Sequence, residues 1–280
     1  MQKPVIISGY NDKTTELAEM GLLEIWSKLG EYRDHLVLIG GLVPRYLINQ
    51  EKQLRKNRHC GTMDVDLGIS IAVTDIEVYE DIAETLGKMG FEPGKNTRGV
   101  EQKHSFVKKT GNAKLILDFL TAKHSGPADS LMKNIQDNLS AIQVEGLALA
   151  FDKPLRIQIN GKLLSGGLTE EIINICRPIP FVVLKALAFD KRREPKDVYD
   201  MVYVLSNCKG GASVLAREAT PGERRAEAFK NAISSMKRHF RSPSYDGPVQ
   251  YGHFVEDLTQ AASAFAAVQE FLKYLDDKSR

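Results

Sequence analysis

The sequence predicts an α+β chain: a β-sheet with flanking helices over residues 1–165, then a helical domain over residues 166–280. Three observations carry this reading. Short apolar runs such as Leu36-Val37-Leu38-Ile39 and Leu115-Ile116-Leu117-Asp118-Phe119-Leu120 have the length of buried strands. Segments with apolar residues at helical spacing lie around and between them. After Gly166-Gly167 the character changes, and four helix-like segments follow.

Element by element, residues 14–29 carry Leu17, Met20, Leu23, Ile25 and Trp26 at near-helical spacing, and Gly30 supplies a stop. Leu36–Ile39 is a buried strand closed by Gly40-Gly41. Residues 43–50 read as a helix whose first turn accepts Pro44. A basic, irregular stretch over residues 52–59 follows. Residues 65–73 alternate as a strand, and 75–89 form an amphipathic helix with Ile76, Tyr79, Ile82, Ala83 and Leu86 on one face. Residues 106–108 and 115–120 read as strands joined by Thr110-Gly111-Asn112. Residues 147–151 and 155–159 are further strand candidates, with Asn160-Gly161 as a hairpin signal. Residues 180–189, 196–205, 224–239 and 254–274 read as helices. There is no internal repeat and no low-complexity segment.

At 280 residues with 42% apolar and 26% charged content, the composition is that of a soluble globular protein with a real core. A net charge of +2 averages over local basic clusters and selects no partner. Three cysteines, Cys60, Cys176 and Cys208, are odd in number and form no CxxC pair, as expected of free thiols in a reducing cytosol. No basic-then-apolar leader opens the chain, and its apolar runs fall far short of the ~20 residues that span a bilayer. The expectation is a cytoplasmic protein with no membrane partner.

The chemistry concentrates in Gly61-Thr62-Met63-Asp64-Val65-Asp66 and in Asp118. Positions i and i+2 of a strand face the same way, so Asp64 and Asp66 can bracket one ion. Asp118 joins them if its strand pairs alongside. Such hard oxygen donors suit Mg²⁺ or Mn²⁺, which keeps waters and bridges to substrate phosphates. A lone D-x-D is as simply a pair of solvent-facing strand-end acids, but Asp118 lies in an apolar run where an unpaired charge is costly. Gly40-Gly41 alone fits either a strand-to-helix turn or a backbone that approaches a triphosphate closely.

The diglycine, the paired-aspartate strand and the later aspartate together resemble the nucleotidyltransferase superfamily. Lys185-Ala186-Leu187-Ala188-Phe189, followed by Lys191-Arg192-Arg193-Glu194-Pro195-Lys196-Asp197-Val198-Tyr199-Asp200, sharpens this. That lysine, basic linker and K-D-x-x-D pattern is similar to the AbiEii-type and MenT-type toxin nucleotidyltransferases, over roughly residues 36–206. The resemblance implies a nucleotidyltransferase-like mixed sheet followed by helices. It implies that Gly40 and Gly41 support the nucleotide phosphates together with Thr62, and that Asp64, Asp66 and Asp118 hold the metal. Lys185 then contacts the triphosphate, Asp197 is the late aspartate such toxins need, and Asp118 helps activate the incoming hydroxyl. Leu42 departs from the pattern where many members have Ser, and no arginine immediately precedes Gly61-Thr62, although Arg58 is close. Both departures bear on substrate detail more than on reaction type.

On a helix Asp197 and Asp200 share a face, and a helical hairpin could bring Lys185 over the same cleft. A salt bridge from Asp197 to Lys196, Arg192 or Arg193 is the competing role, and Asp200 reads as structural. Basic clusters at residues 52–59, 191–196 and 237–241 fit either an RNA backbone or solvated surfaces. Several of Tyr46, Tyr199, Tyr203 and Phe240 belong to the core, and His35 and His104 show no metal-ligand spacing. The expected function is metal-dependent transfer of NMP from an NTP to an acceptor hydroxyl. The resemblance implies a tRNA 3′ end or another RNA as acceptor, a toxin or phage-defence role, and a cognate antitoxin as partner. The competing classes are a non-catalytic RNA- or protein-docking module, which would lack metal-dependent NTP binding, and a kinase-like phosphotransferase, which would release ADP.

Overall fold

The fold comes from a computed structural model, which describes residues 4–48, 58–70, 72, 81–123 and 131–277. The chain forms two compact units. One, the sheet unit, comprises Asp12–Val43 and Gly61–Cys176; the other, the helical unit, comprises Met1–Asn11, Pro44–Cys60 and Arg177–Arg280.

The sheet unit opens with helix α1 (Asp12–Lys28), strand β1 (Leu36–Ile39) and a turn at Gly40–Leu42; the short helix α2 (Val43–Leu47) that follows belongs, from Pro44 on, to the helical unit. Strand β2 (Asp64–Ile69), helix α3 (Ile82–Lys88) and strands β3 (Glu92–Lys95), β4 (Glu101–Thr110) and β5 (Ala113–Ala122) come next. The unit ends with β6 (Met132–Gln136), β7 (Leu139–Val144), α4 (Ala148–Phe151), β8 (Leu155–Lys162) and β9 (Leu168–Ile175). The sheet is mixed, in the order β3-β4-β5-β2-β1-β9-β8, with β7 pairing to β5 and to β6. β1 and β2 are antiparallel, whereas β2 and β5 are parallel, with Asp66 directly beside Asp118. Helix α1 buries Ala18, Leu22, Ile25 and Trp26. Its Gly21 admits Leu115, since a Cβ there would overlap that side chain.

Four expectations differ from what is observed here. Residues 147–151 form a helical turn rather than a strand; Leu147 and Phe151, four apart, both face Gly68 of β2. Asn160-Gly161 lies inside β8, not at a turn: Gly161 is open so that Leu23 of α1 can pack there, and the β8–β9 turn is made by Gly166 and Gly167 at positive φ. Within the described residues the helix expected over 75–89 begins at Ile82, capped by the Asp81 carboxylate, which accepts from Glu84 N at 2.6 Å; residues 75–80 lie outside the description. Strand β9 was not anticipated. It follows residue 165, where the sequence reading puts its boundary, and pairs with β8 and β1.

The helical unit contains α5 (Pro178–Arg192), α6 (Pro195–Asn207), α7 (Gly211–Glu218), α8 (Pro221–Arg225), α9 (Glu227–His239), α10 (Asp246–Phe254) and α11 (Ala261–Asp277). The helix expected over 224–239 is two, broken at extended Ala226, with Thr220 and Glu223 forming a capping box for α8. The one expected over 254–274 begins only at Ala261, because Phe254 ends α10 and Glu256 adopts a left-handed conformation after it. Tyr199, Tyr203 and Phe254 form, with Ile48, a buried hydrophobic cluster in this unit. Among the described residues no helix is long and apolar enough to cross a membrane.

Candidate functional site

Strands β2 and β5 bring three acids together. Asp64 and Asp66 lie two residues apart on one strand, and the parallel register sets Asp118 beside Asp66. One oxygen from each carboxylate lies within 4.8 Å of the other two. Asp64 is buried, Asp66 and Asp118 half-buried. At that spacing two carboxylate charges repel by roughly 3–4 kcal/mol at an effective dielectric of 20, so the cluster favours a cation.

The surroundings hold these acids in place. Gly40 sits at φ +73°, and a Cβ there would overlap the Asp66 carboxylate. The first glycine of the pair therefore lets Asp66 abut the end of β1, a demand local to the site. Gly41 is buried in the turn that follows. Thr62 Oγ1 donates to Asp64 Oδ1 at 2.6 Å. Thr62 is itself clamped by Thr15 of α1, whose hydroxyl accepts from Thr62 N at 3.1 Å and donates to Thr62 O at 3.2 Å. Gly61, at φ +83°, is bare where Thr15 crosses it. Thr15 was not singled out in the sequence; a polar residue on the buried face of α1 is its only signal.

Lys185 and Asp197 meet each other in the helical unit. Lys185 Nζ lies 3.1 Å from Asp197 Oδ1 and 2.7 Å from Asp200 Oδ2. Arg192 grips Asp197 with two bonds of 2.6 and 2.7 Å, one of the salt bridges the sequence allowed. Lys196 and His59 both reach Asp200 Oδ1, at 2.6 and 2.8 Å. Burial alone would raise the Asp200 and Asp197 pKa values, but Lys185 and its cationic neighbours more than offset it, and both carboxyls sit below their usual range. Burial would depress Lys185, yet the two aspartates hold its pKa above the ordinary value. His59 is pushed down to about 4 by burial, against its hydrogen bond to Asp200, and stacks on Tyr199 with centroids 5.2 Å apart. His59 thus belongs to a buried ionic cluster, not to a solvated basic stretch; residues 52–57 lie outside the description. Tyr199, Tyr203 and Phe240 are core residues, as expected.

All three cysteines are free thiols. Burial raises Cys60 to about 11 and Cys208 to about 12, which leaves neither as a thiolate near neutral pH.

The structure thus sets three converging carboxylates, which could hold a metal ion, on adjacent strands of a mixed sheet with a glycine turn beside them. The chain matches the model of a nucleotidyltransferase family over residues 20–202, a span that includes the diglycine, all three acids, Lys185, Asp197 and Asp200. It belongs to that nucleotidyltransferase family and so takes an NTP as substrate. A comparison with curated proteins returned no match.

Proposed function

We propose that the chain is a metal-dependent enzyme that moves NMP from an NTP to an RNA 3′ hydroxyl and releases pyrophosphate. The observation that carries the proposal is the convergence of Asp64, Asp66 and Asp118 within 4.8 Å. The donor set fits Mg²⁺ or Mn²⁺, being three carboxylates with no imidazole or thiolate among them. Asp64, Asp66 and Asp118 would hold that cation, which would supply charge neutralisation at the phosphates and at the departing pyrophosphate.

The protein's own groups do the rest. Thr62 fixes the Asp64 carboxylate through its hydroxyl, and Gly40 leaves room for Asp66. Gly40 and Gly41 support the nucleotide phosphates. Asp118 takes the proton of the attacking hydroxyl as its oxygen bonds the α-phosphorus; the bond from that phosphorus to the β-phosphate oxygen breaks, and the electron pair leaves with pyrophosphate. Lys185 and Asp197 enter the proposal through the family pattern alone: Lys185 as the triphosphate contact, with Asp197 and Asp200 keeping its ammonium charged. The K-D-x-x-D pattern is also what supports an AbiEii-type toxin role with tRNA as acceptor and a cognate antitoxin.

The test is incubation of the protein with total tRNA, Mg²⁺ and each α-labelled NTP in turn. Transfer of label to RNA is expected from one or more of the NTPs and should vanish in Asp64→Ala. Label transfer that persists in the variant defeats the assignment. Growth arrest on expression, relieved by Asp66→Ala, is the matching expectation for the toxin role.

A further inference from the structure

Of the basic clusters in the sequence, that over residues 191–196 is largely consumed internally. Arg192 binds Asp197, Lys196 binds Asp200, and Arg193 binds Asp246 at 2.7 Å. The cluster over residues 237–241 is different. It borders a cavity of about 380 Å³ between the end of α9 and the last turns of α11. Lys237, Arg241 and Lys273 line it, against one carboxylate, Asp276, and the buried side chains of Phe240 and Leu272 lie beneath.

These cations are available and held in place. Lys237 stands 3.6 Å from Asp276 with both side chains more than half exposed, a pairing worth little in water. Among the described residues no carboxylate pairs with Arg241 or Lys273. Arg241 lies 5.2 Å over the Tyr245 ring, and Lys273 lies 5.9 Å over Tyr274, whose ring is also covered by Arg217 at 4.6 Å. Stacking on rings cuts the rotamer freedom that long cations otherwise lose on binding. Cations interleaved with aromatic faces are the chemistry that tracks a single-stranded nucleic-acid backbone and stacks its bases.

We infer that this cavity is a docking site for the phosphate backbone of single-stranded RNA. The inference rests on the proposed RNA acceptor and adds where that acceptor is held. A lone phosphate leaves the Tyr245-backed guanidinium plane of Arg241 unused, whereas an RNA strand uses both charge and plane.

The test is fluorescence anisotropy with a labelled single-stranded RNA of about a dozen nucleotides, without divalent cation so that the acidic cluster takes no part. The wild type is compared with Arg241→Gln/Lys273→Gln; both side chains are exposed, and unchanged thermal unfolding checks the fold. Removing two phosphate contacts should weaken binding roughly 25-fold at 0.1 M salt and flatten the slope of log K against log salt by about 1.4. Tripolyphosphate and polyglutamate are added as competitors at matched charge, and RNA should outcompete both. Undiminished binding and slope in the variant overturns the site alone and leaves the RNA acceptor standing. Failure of the wild type to bind RNA overturns the RNA acceptor, and this site with it. Displacement by tripolyphosphate as effective as by RNA assigns the cavity to free phosphates, and by polyglutamate to an acidic protein; either result overturns the inference.

Discussion

Gly40 shows how much one missing side chain can decide. In sequence the diglycine suggests room for a triphosphate, but the first demand on Gly40 comes from within the protein. The residue combines φ +73° with a Cβ position that the Asp66 carboxylate occupies. A Gly40→Ala variant therefore meets two penalties. The left-handed conformation costs about 1–2 kcal/mol for an L side chain, and the methyl pushes Asp66 away from Asp64 and Asp118. Displacements of this size can cost about 100-fold in rate. The expectation is a modest drop in unfolding midpoint with a loss of NMP transfer of that order, read from thermal melts and label transfer on the same samples. A variant that melts early yet transfers at the wild-type rate would show that Asp66 does not depend on this glycine. Asp64 is positioned from the other side, through Thr62 and ultimately Thr15. A threonine in a helix's first turn carries no mark in the sequence of the loop it clamps 47 residues later.

At the scale of elements, the α5–α6 hairpin is a buried ionic assembly. Removing Lys185 leaves two buried carboxylates short of a cation, a disruption of about 3–5 kcal/mol, so lost activity in Lys185→Ala mixes folding with chemistry. His59 offers a cleaner probe. Its folded pKa of about 4 lies below the ordinary 6.5. Between those values the unfolded chain takes up a proton that the folded chain refuses, so stability falls as pH drops from about 6.5 to about 4. From pH 7 to pH 5 this amounts to roughly 2 kcal/mol. In His59→Gln, which keeps an amide donor for Asp200, urea unfolding should show that much less loss over the same interval than the wild type. Equal losses in both proteins would mean that His59 is not the titrating group. Asp197 and Asp200 act lower: with depressed folded values, their contribution is complete above about pH 4 and fades as pH falls further. The sequence revealed this hairpin because Pro195 and the apolar periodicity are local signals. It hid His59, because Asp200 lies 141 residues away. The same contrast runs through the sheet. β1 and β5 were legible as apolar runs and β2 as an alternating segment, and the three acids with them. β9 escaped notice because it exposes Leu168 and Ile172 while burying Ile173 and Ile175, which scatters the alternation that marks a one-sided strand.

For the whole molecule, the covalent path constrains how it can be divided. The chain passes from the helical unit to the sheet unit and back twice, so each unit draws on segments distant in sequence. The strand that closes the sheet next to β1 is β9. Ile175 registers with Leu38, Cys176 N donates to Leu38 O at 2.9 Å, and Trp26 Nε1 donates to Ile172 O at 2.9 Å. Asn174 adds bonds to Arg33 O and Leu36 O. A fragment ending at residue 165 keeps β8 but loses β9, which among the described residues joins β8 to β1. The fully buried β1 then becomes a bare edge, a row of unpaired backbone groups beside Leu36, Val37, Leu38 and Ile39. Such a fragment should lack a cooperative unfolding transition, bind a hydrophobic dye and aggregate. The full chain should melt cooperatively under the same conditions. Dye binding and circular dichroism melts separate the outcomes: a fragment of residues 1–165 that unfolds cooperatively without dye binding would show that β1 needs no neighbour on that side. The acidic cluster would be lost with the fragment's fold, because Asp66 is registered against Ile39 of β1 as well as against Asp118 of β5.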